Sequence, residues 1–284
     1  MAHSINSVNL LYKGNSAEAA GLAREMTQWL EKRQVAVRLV FSGQGTPHPG
    51  TDNEPDAAAD LTLVLGGDGT ILGAARSLLA HEIPMLGINL GAVGMLAPIS
   101  PQQWRVALEQ VLSGEMLVEK RLALSCGVMR RDKLIYEGVA FNDVAVNRGA
   151  LARLITLDIL MDGARLGMLR TDGVLVSTPT GSSGYCLSVG GPVVSPCLDC
   201  LIMAPICPFL KTMPPMVFTS DKRIEIVVSA MPTNSEAYLT RDGQEGIVLE
   251  IGDKVVVGAA AHKVLLAHLP GTSFYSQLKD RGIL

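Results

Sequence analysis

Aromatic side chains are scarce: Phe, Tyr and Trp make up 4% of the 284 residues, while hydrophobic residues of all kinds reach 48%. That balance suits buried parallel sheet packed by helices better than an aromatic-rich small barrel. An excess of positive charge is also missing. With 24 Lys and Arg against 27 Asp and Glu, the formal net charge is -3, and charged residues are 18% of the chain. The basic footprint of a nucleic-acid binder is absent, which excludes nucleic acid as an expected partner. No apolar run approaches the roughly 20 residues of a membrane-spanning helix, so no membrane association is expected. The N-terminal stretch MAHSINSVNLLYKGNSAEAAG has no basic region leading into an apolar core and a small-residue cleavage site. The expectation is a cytoplasmic protein. Repeats and low-complexity segments are absent too. Cysteines number five, Cys126, Cys186, Cys197, Cys200 and Cys207, an odd count that favours reduced thiols over a disulfide framework. The C-x-x-C of CLDCLIMAPIC lacks the fourth ligand of a zinc site.

Apolar spacing gives the organisation. VNLLYKG (8–14) reads as a strand, and the next stretch carries Leu22, Met26 and Leu30 at helical spacing behind a possible Asn15 or Ser16 cap. VAVRLVF and Leu61–Leu65 are further strands, ILGAARSLLA after Thr70 reads as a helix, and IPMLGINLG (83–91) as a strand. The alternation predicts a doubly wound parallel sheet. Beyond the helix SPQQWRVALEQVLSG, long β-rich segments follow almost to the C-terminus. The expected division is an α/β domain over 1–98, a β-rich domain over 99–268, and a tail, 269–284, packing back on the first domain.

Within LVLGGDGTIL, Gly66, Gly67, Asp68, Gly69 and Thr70 sit where a buried strand ends and a helix begins. Ligands bind there in open α/β sheets, and helix-start amides receive phosphate. The loop has neither the Lys-Ser/Thr of a P-loop nor the dinucleotide-binding spacing. Asp68 between glycines is approachable by a phosphate chain and an acceptor hydroxyl together, which points to phosphoryl transfer with Asp68 acting on the hydroxyl. Without a loop lysine, donor phosphates would depend on glycine amides and a divalent cation, so Mg2+ is implied, with no metal ligands legible. In FNDVAVNRG, Asn142 and Asp143 offer donors and acceptors suited to paired ribose hydroxyls, although such a pair at a strand end is, on its own, more often an ordinary turn. TDGVLVSTPTGSSGY leads from Asp172 through Thr180 and Ser183 to Tyr185, which could stack a base; a plain glycine-serine loop is the other reading.

Taken in order, GGDGT, GINLGAVGML, the Asn-Asp segment, DGVLVSTPTGSSGY with LSVGGPVVSP, RDGQ and the closing FYSQLKDRGIL resemble the NAD kinase family over nearly the whole chain. The resemblance implies an α/β N-terminal domain, a β-rich C-terminal domain, and NAD at the domain cleft of a homodimer or homotetramer. The implied reaction moves a phosphoryl group from ATP or polyphosphate to the adenosine ribose 2'-hydroxyl of NAD, making NADP. Asp68 would act on that hydroxyl, and Gly66, Gly67, Gly69 and Thr70 would cradle donor phosphates. Asn142 and Asp143 match the pair that holds NAD, Asp172, Thr180, Ser183 and Tyr185 match the third motif, and Gln244 falls in the DGQ turn that approaches the nucleotide in relatives.

Some positions depart from the family pattern. Ala92 and Met95 stand where relatives commonly carry arginine and phenylalanine, GSSGY replaces GSTAY, and ICPFLKTMPPMVF places Phe209 and Met213 where CPHSLSNRP is typical. Two other readings stay open on these residues. One is a GGDGT-type kinase acting on a different hydroxyl; the other is a non-catalytic NAD(H) or NADP(H) sensor.

Overall fold

The structure is a computed structural model that describes residues 5–13, 16–42, 52, 54–91, 94–150, 153–210 and 213–284. It divides into two compact units, Met1–Lys120 with Val264–Leu284, and Arg121–Lys263.

The first unit opens with strand β1 (Ser7–Lys13), helix α1 (Ala17–Glu31), β2 (Ala36–Ser42) and β3 (Leu61–Leu65). Next come α2 (Asp68–Leu78), β4 (Met85–Ile88), α3 (Trp104–Leu112) and β5 (Leu117–Arg121). Ser16 caps α1 by accepting the Ala19 N–H at 3.1 Å, whereas the other candidate cap, Asn15, lies outside the described residues. Every residue of β3 is buried, because it is flanked in parallel by β1 and β4 and covered on both faces. Leu10, Leu63, Leu65 and Leu86 share one core with Ala23, Met26 and Leu30 of α1 and Trp104 and Leu108 of α3. Ile71 of α2 packs at Gly87.

The second unit contains β6 (Leu124–Arg130), β7 (Lys133–Ala140), β8 (Asp143–Arg148), β9 (Ile155–Met161), β10 (Ala164–Thr171) and β11 (Gly173–Ser177). A 3-10 turn (Thr180–Ser183) and the short helix α4 (Tyr185–Ser188) follow. Then come β12 (Cys200–Ile206), β13 (Met216–Thr219), β14 (Ile224–Ala230), β15 (Ala237–Arg241), β16 (Glu245–Leu249) and β17 (Lys254–Ala259). These strands make two six-stranded sheets, ordered β10-β9-β14-β17-β6-β7 and β13-β12-β11-β8-β15-β16. Their inner faces contribute to a common core that includes Leu124, Val128, Ile159 and Val257 from one sheet and Val144, Val176, Met203 and Leu239 from the other.

The chain then re-enters the first unit as β18 (Val264–His268) and α5 (Phe274–Asp280). The first sheet is therefore ordered β2-β1-β3-β4-β18-β5. Two expectations change here. The first unit reaches Lys120 instead of ending at 98, because α3 packs on its sheet and β5 is that sheet's edge strand. It also takes back the chain at Val264 instead of 269, because β18 runs parallel to β4 with Leu266 opposite Met85. A run of apolar residues made β18 legible as a strand; its partner was invisible, since pairing across the intervening unit is not encoded locally.

Candidate functional site

The expected loop GGDGT is mostly helix. Gly67 is the N-cap of α2, with no side-chain cap, and Asp68, Gly69 and Thr70 form its first turn. Glycine at the start of a helix costs less than in its interior, which is why the helix begins three residues earlier than apolar spacing alone predicts. Gly66 is buried at the end of β3, where its N–H donates to the Ile88 carbonyl at 3.0 Å. A Cβ there would lie 2.3 Å from the Thr70 Oγ1, so no other residue fits. Gly67 and Gly69 are exposed, and Asp68 and Thr70 half-buried.

The Asp68 carboxylate is held from three directions. Its Oδ2 accepts the Met95 N–H at 2.9 Å and its Oδ1 the Leu96 N–H at 3.0 Å. Arg281, the residue that ends α5, donates from Nη2 to Oδ2 at 3.1 Å. The approach of residues 94–96 demands glycine: a Cβ on Gly94 would stand 2.1 Å from Asp68 Oδ1. Among the departures from the family pattern, Met95 therefore contributes through its main chain, and its unusual side chain leaves that contact intact. Ala92 lies outside the described residues.

In the second unit, Asn142 and Asp143 stand at the entrance to β8, between β11 and β15. Asp242, in the hairpin turn between β15 and β16, accepts main-chain N–H groups from Phe141 (3.1 Å), Asn142 (2.7 Å) and Asp143 (3.2 Å). The Asn142 carbonyl accepts the Thr178 N–H at 2.9 Å and the Ser177 hydroxyl at 3.1 Å. Its main chain is thus fixed on both sides. Its side-chain Oδ1 is buried without a hydrogen-bond partner among the described residues. Such an acceptor is rare unless something outside the chain supplies a donor. Burial, with Asp242 nearby, pushes the Asp143 carboxyl up to about 7.

Thr180 is buried and opens the 3-10 turn, Ser183 is half-buried at its close, and Tyr185 is 41% exposed at the start of α4. Partial burial, with Cys207, Asp143 and Asp172 nearby, holds the Tyr185 phenol above its ordinary range. Asp172 is separated from Asn142 and Asp143 by the strands. Asp143 faces Ser177 at one end of β11, whereas Asp172 precedes Gly173 at the other and forms an ion pair with Arg148. Five strand residues make that gap roughly 15 Å. Gln244 is exposed in the hairpin turn, its N–H bonded to the Arg241 carbonyl at 3.0 Å. Phe209 is exposed with the Arg170 guanidinium 5.4 Å from its ring centre, and Met213 is buried in the shared core. An arginine at 213 would need a buried partner for its charge.

Sequence reasoning missed Asp242, Arg148 and Arg281. Asp242 lay within the quoted RDGQ, Arg148 within FNDVAVNRG and Arg281 within FYSQLKDRGIL, but nothing in those segments pointed to the distant groups that these side chains engage. All five cysteines are free, with Cys197 and Cys207 exposed and the others buried.

Comparison with known proteins agrees across the chain. Residues 8–116 match the ATP-NAD kinase N-terminal domain and residues 141–269 the ATP-NAD kinase C-terminal domain. An NAD kinase of Nitratidesulfovibrio vulgaris (strain Miyazaki F) is 42% identical over 100% of this chain and 99% of its own length. One from Geobacter metallireducens is 36% identical over 98% of each. Among solved structures, yeast NADH kinase complexed with NADH superposes with a TM-score of 0.82 at 25% identity, covering 99% of this chain and 88% of that one. An NAD kinase from Archaeoglobus fulgidus in complex with ATP gives 0.75 at 27% identity, covering 97% and 98%. With both domain profiles matched in order, and relatives alike from end to end, the chain belongs to the ATP-NAD kinase family.

Proposed function

We propose that this protein is an NAD kinase that transfers the terminal phosphoryl group of ATP to the adenosine ribose 2'-hydroxyl of NAD, releasing ADP and NADP. The observation that carries this reading is Asp68, half-buried at the amino end of α2 and oriented by the Met95 and Leu96 amides in a chain of this family. A new bond forms between the ribose oxygen and phosphorus, the bond from phosphorus to the ADP oxygen breaks, and Asp68 receives the hydroxyl proton. Gly66, Gly67, Gly69 and Thr70 set the backbone against which the donor phosphates lie. In the second unit, Asn142 Oδ1 is an acceptor waiting for a donor, and a ribose hydroxyl supplies one. Asp143, with its carboxyl raised to about 7, is part protonated near neutral pH and can both donate and accept. Thr180, Ser183, Asp172 and Gln244 seat the rest of NAD, and Tyr185 offers its ring to a base.

Among the described residues, no group of three or more His, Cys, Asp or Glu converges on one point. Mg2+ bound to nucleotide phosphates keeps several waters and needs no such group, so these residues fit a cation that arrives with ATP and is held mainly by its phosphates. Magnesium would neutralise phosphate charge. On the same reading the protein works in the cytoplasm as a homodimer or homotetramer, which would cover exposed apolar residues such as Met168 and Phe209.

The test is an enzymatic-cycling assay for NADP. Pure protein is incubated with Mg2+ and NAD, plus ATP in one arm and polyphosphate in another, beside Asp68→Asn. NADP from the parent with ATP, and a large loss in the variant, is expected. Polyphosphate in place of ATP, and NADH in place of NAD, identify the donor and acceptor in the same assay. Nucleotide binding without any NADP would overturn the kinase reading in favour of a sensor.

A further inference from the structure

The carboxylate of Asp68 offers about four lone-pair positions, two on each oxygen. Three are taken: Oδ2 by the Met95 N–H and by Arg281 Nη2, and Oδ1 by the Leu96 N–H. Oδ1 keeps one. The arginine is delivered by an anchored segment. Ser273 caps α5 by accepting the Ser276 N–H at 3.0 Å, Leu278 is buried, and the Ile283 N–H returns to the Leu278 carbonyl at 2.9 Å. The Arg281 and Asp68 side chains are 37% and 28% exposed, so neither is a fully solvated surface group.

We infer that Arg281 is a positioning residue for phosphoryl transfer: by closing Oδ2, it presents the remaining acceptor of Asp68 Oδ1 to the substrate hydroxyl. This rests on Asp68 acting on that hydroxyl. The two main-chain donors come from adjacent residues, and a guanidinium from a separate element adds a third point of restraint. Misplacing a reacting group by about 1 Å can cost on the order of a hundredfold in rate. A single charge-assisted contact is therefore enough to matter.

The experiment is steady-state kinetics on the full chain, comparing Arg281→Ala, Arg281→Lys, Asp68→Asn and the double variant Asp68→Asn/Arg281→Ala. Arg281→Ala is expected to lower kcat roughly tenfold to a hundredfold while KM for NAD stays within about twofold, since a positioning defect acts on the chemical step. Guanidinium ion added to Arg281→Ala recovers part of the rate, and Arg281→Lys retains more activity than Arg281→Ala, having the charge without the planar fork. The double variant is no slower than Asp68→Asn alone, because the arginine acts through the aspartate. Parental kcat in Arg281→Ala, or losses that multiply in the double variant, overturns the inference while the Asp68 reading stands. A lowered melting temperature with no guanidinium rescue also overturns it, as the contact is then structural. A fully active Asp68→Asn is a different failure: it removes Asp68, and this inference falls with it.

Discussion

Two carboxylates, one in each unit, stand in opposite surroundings. Asp68 is half-buried on a helix end, with both oxygens engaged by hydrogen-bond donors. Asp143 is buried beside a second carboxylate, Asp242, which has claimed the neighbouring amides; its own carboxyl rises to about 7. Donors directed at an oxygen suit a charged acceptor, whereas burial next to like charge favours the neutral acid. On the proposed function the difference separates two tasks: Asp68 would take a proton, and Asp143 would exchange hydrogen bonds with ribose.

The sharpest way to break that separation is to neutralise Asp68. Asp68→Asn is expected to fold and bind nucleotide while turnover falls by roughly two to four orders of magnitude, the scale of a positioned acid-base group. Near-parental NADP formation would show that the environment around Asp68 does not make it the base. A gentler perturbation leaves the carboxylate in place and moves it. In Gly94→Ala the new methyl would meet Asp68 Oδ1 at 2.1 Å, so either the carboxylate or the 94–96 turn must shift. Turnover is expected to fall roughly tenfold to a hundredfold, with the far-UV circular dichroism of the parent retained.

These contacts also mark the limit of what could be read from the sequence. Local features were legible: β3 spans Leu61–Leu65 as expected, because four buried aliphatics in five residues, ended by glycine, have few alternatives, and α1 follows the spacing of Leu22, Met26 and Leu30. The start of α2 was misplaced because glycine depresses helix propensity, while N-terminal helix positions tolerate it. The supports of the site were not legible. Asp242 reaches Asn142 across 100 residues, and Arg281 reaches Asp68 across 213. Such contacts exist only once β15 pairs with β8 and β18 with β4, so no window of sequence contains them. The resemblance assigned Asn142, Asp143 and Asp172 to one nucleotide without giving their spacing; the register of β8 and β11 puts the first two at one end and the third at the other.

Stability measurements sharpen the comparison from the side of the second unit. Asp242→Ala removes the acceptor for three main-chain N–H groups, two of them in fully buried pairs, and is expected to cost about 3 kcal/mol by urea unfolding. Asp143 gives a smaller, pH-dependent signature. An aspartate ordinarily titrates near 3.8, and the native protein holds this one protonated up to about 7. Between those values the folded state binds more protons than the unfolded one, so this group's contribution falls as pH rises through the window. Asp143→Asn is expected to remove that slope, worth roughly 4 kcal/mol between pH 4 and pH 8. An unchanged pH profile would mean that burial beside Asp242 does not hold Asp143 protonated in the folded state.

The smallest expected effect is a change in labelling rate, and it isolates one unit. All five cysteines lie within Arg121–Lys263, so a thiol reagent reports on the second unit alone. Cys197 and Cys207 are exposed and are expected to react in the native protein. Burial pushes the Cys126 and Cys186 thiols up to about 11 and raises that of Cys200, so these three wait for unfolding. Cys207 stands close enough to Tyr185 and Arg148 to interact with both electrostatically. If those residues border seated NAD, saturating NAD slows Cys207 a few-fold and leaves Cys197 unchanged, as read by mass spectrometry of the labelled peptides. Equal rates at both thiols with and without NAD would instead place the nucleotide away from Tyr185. The second carboxylate environment, however well formed, would then belong to the architecture of the sheet rather than to the substrate.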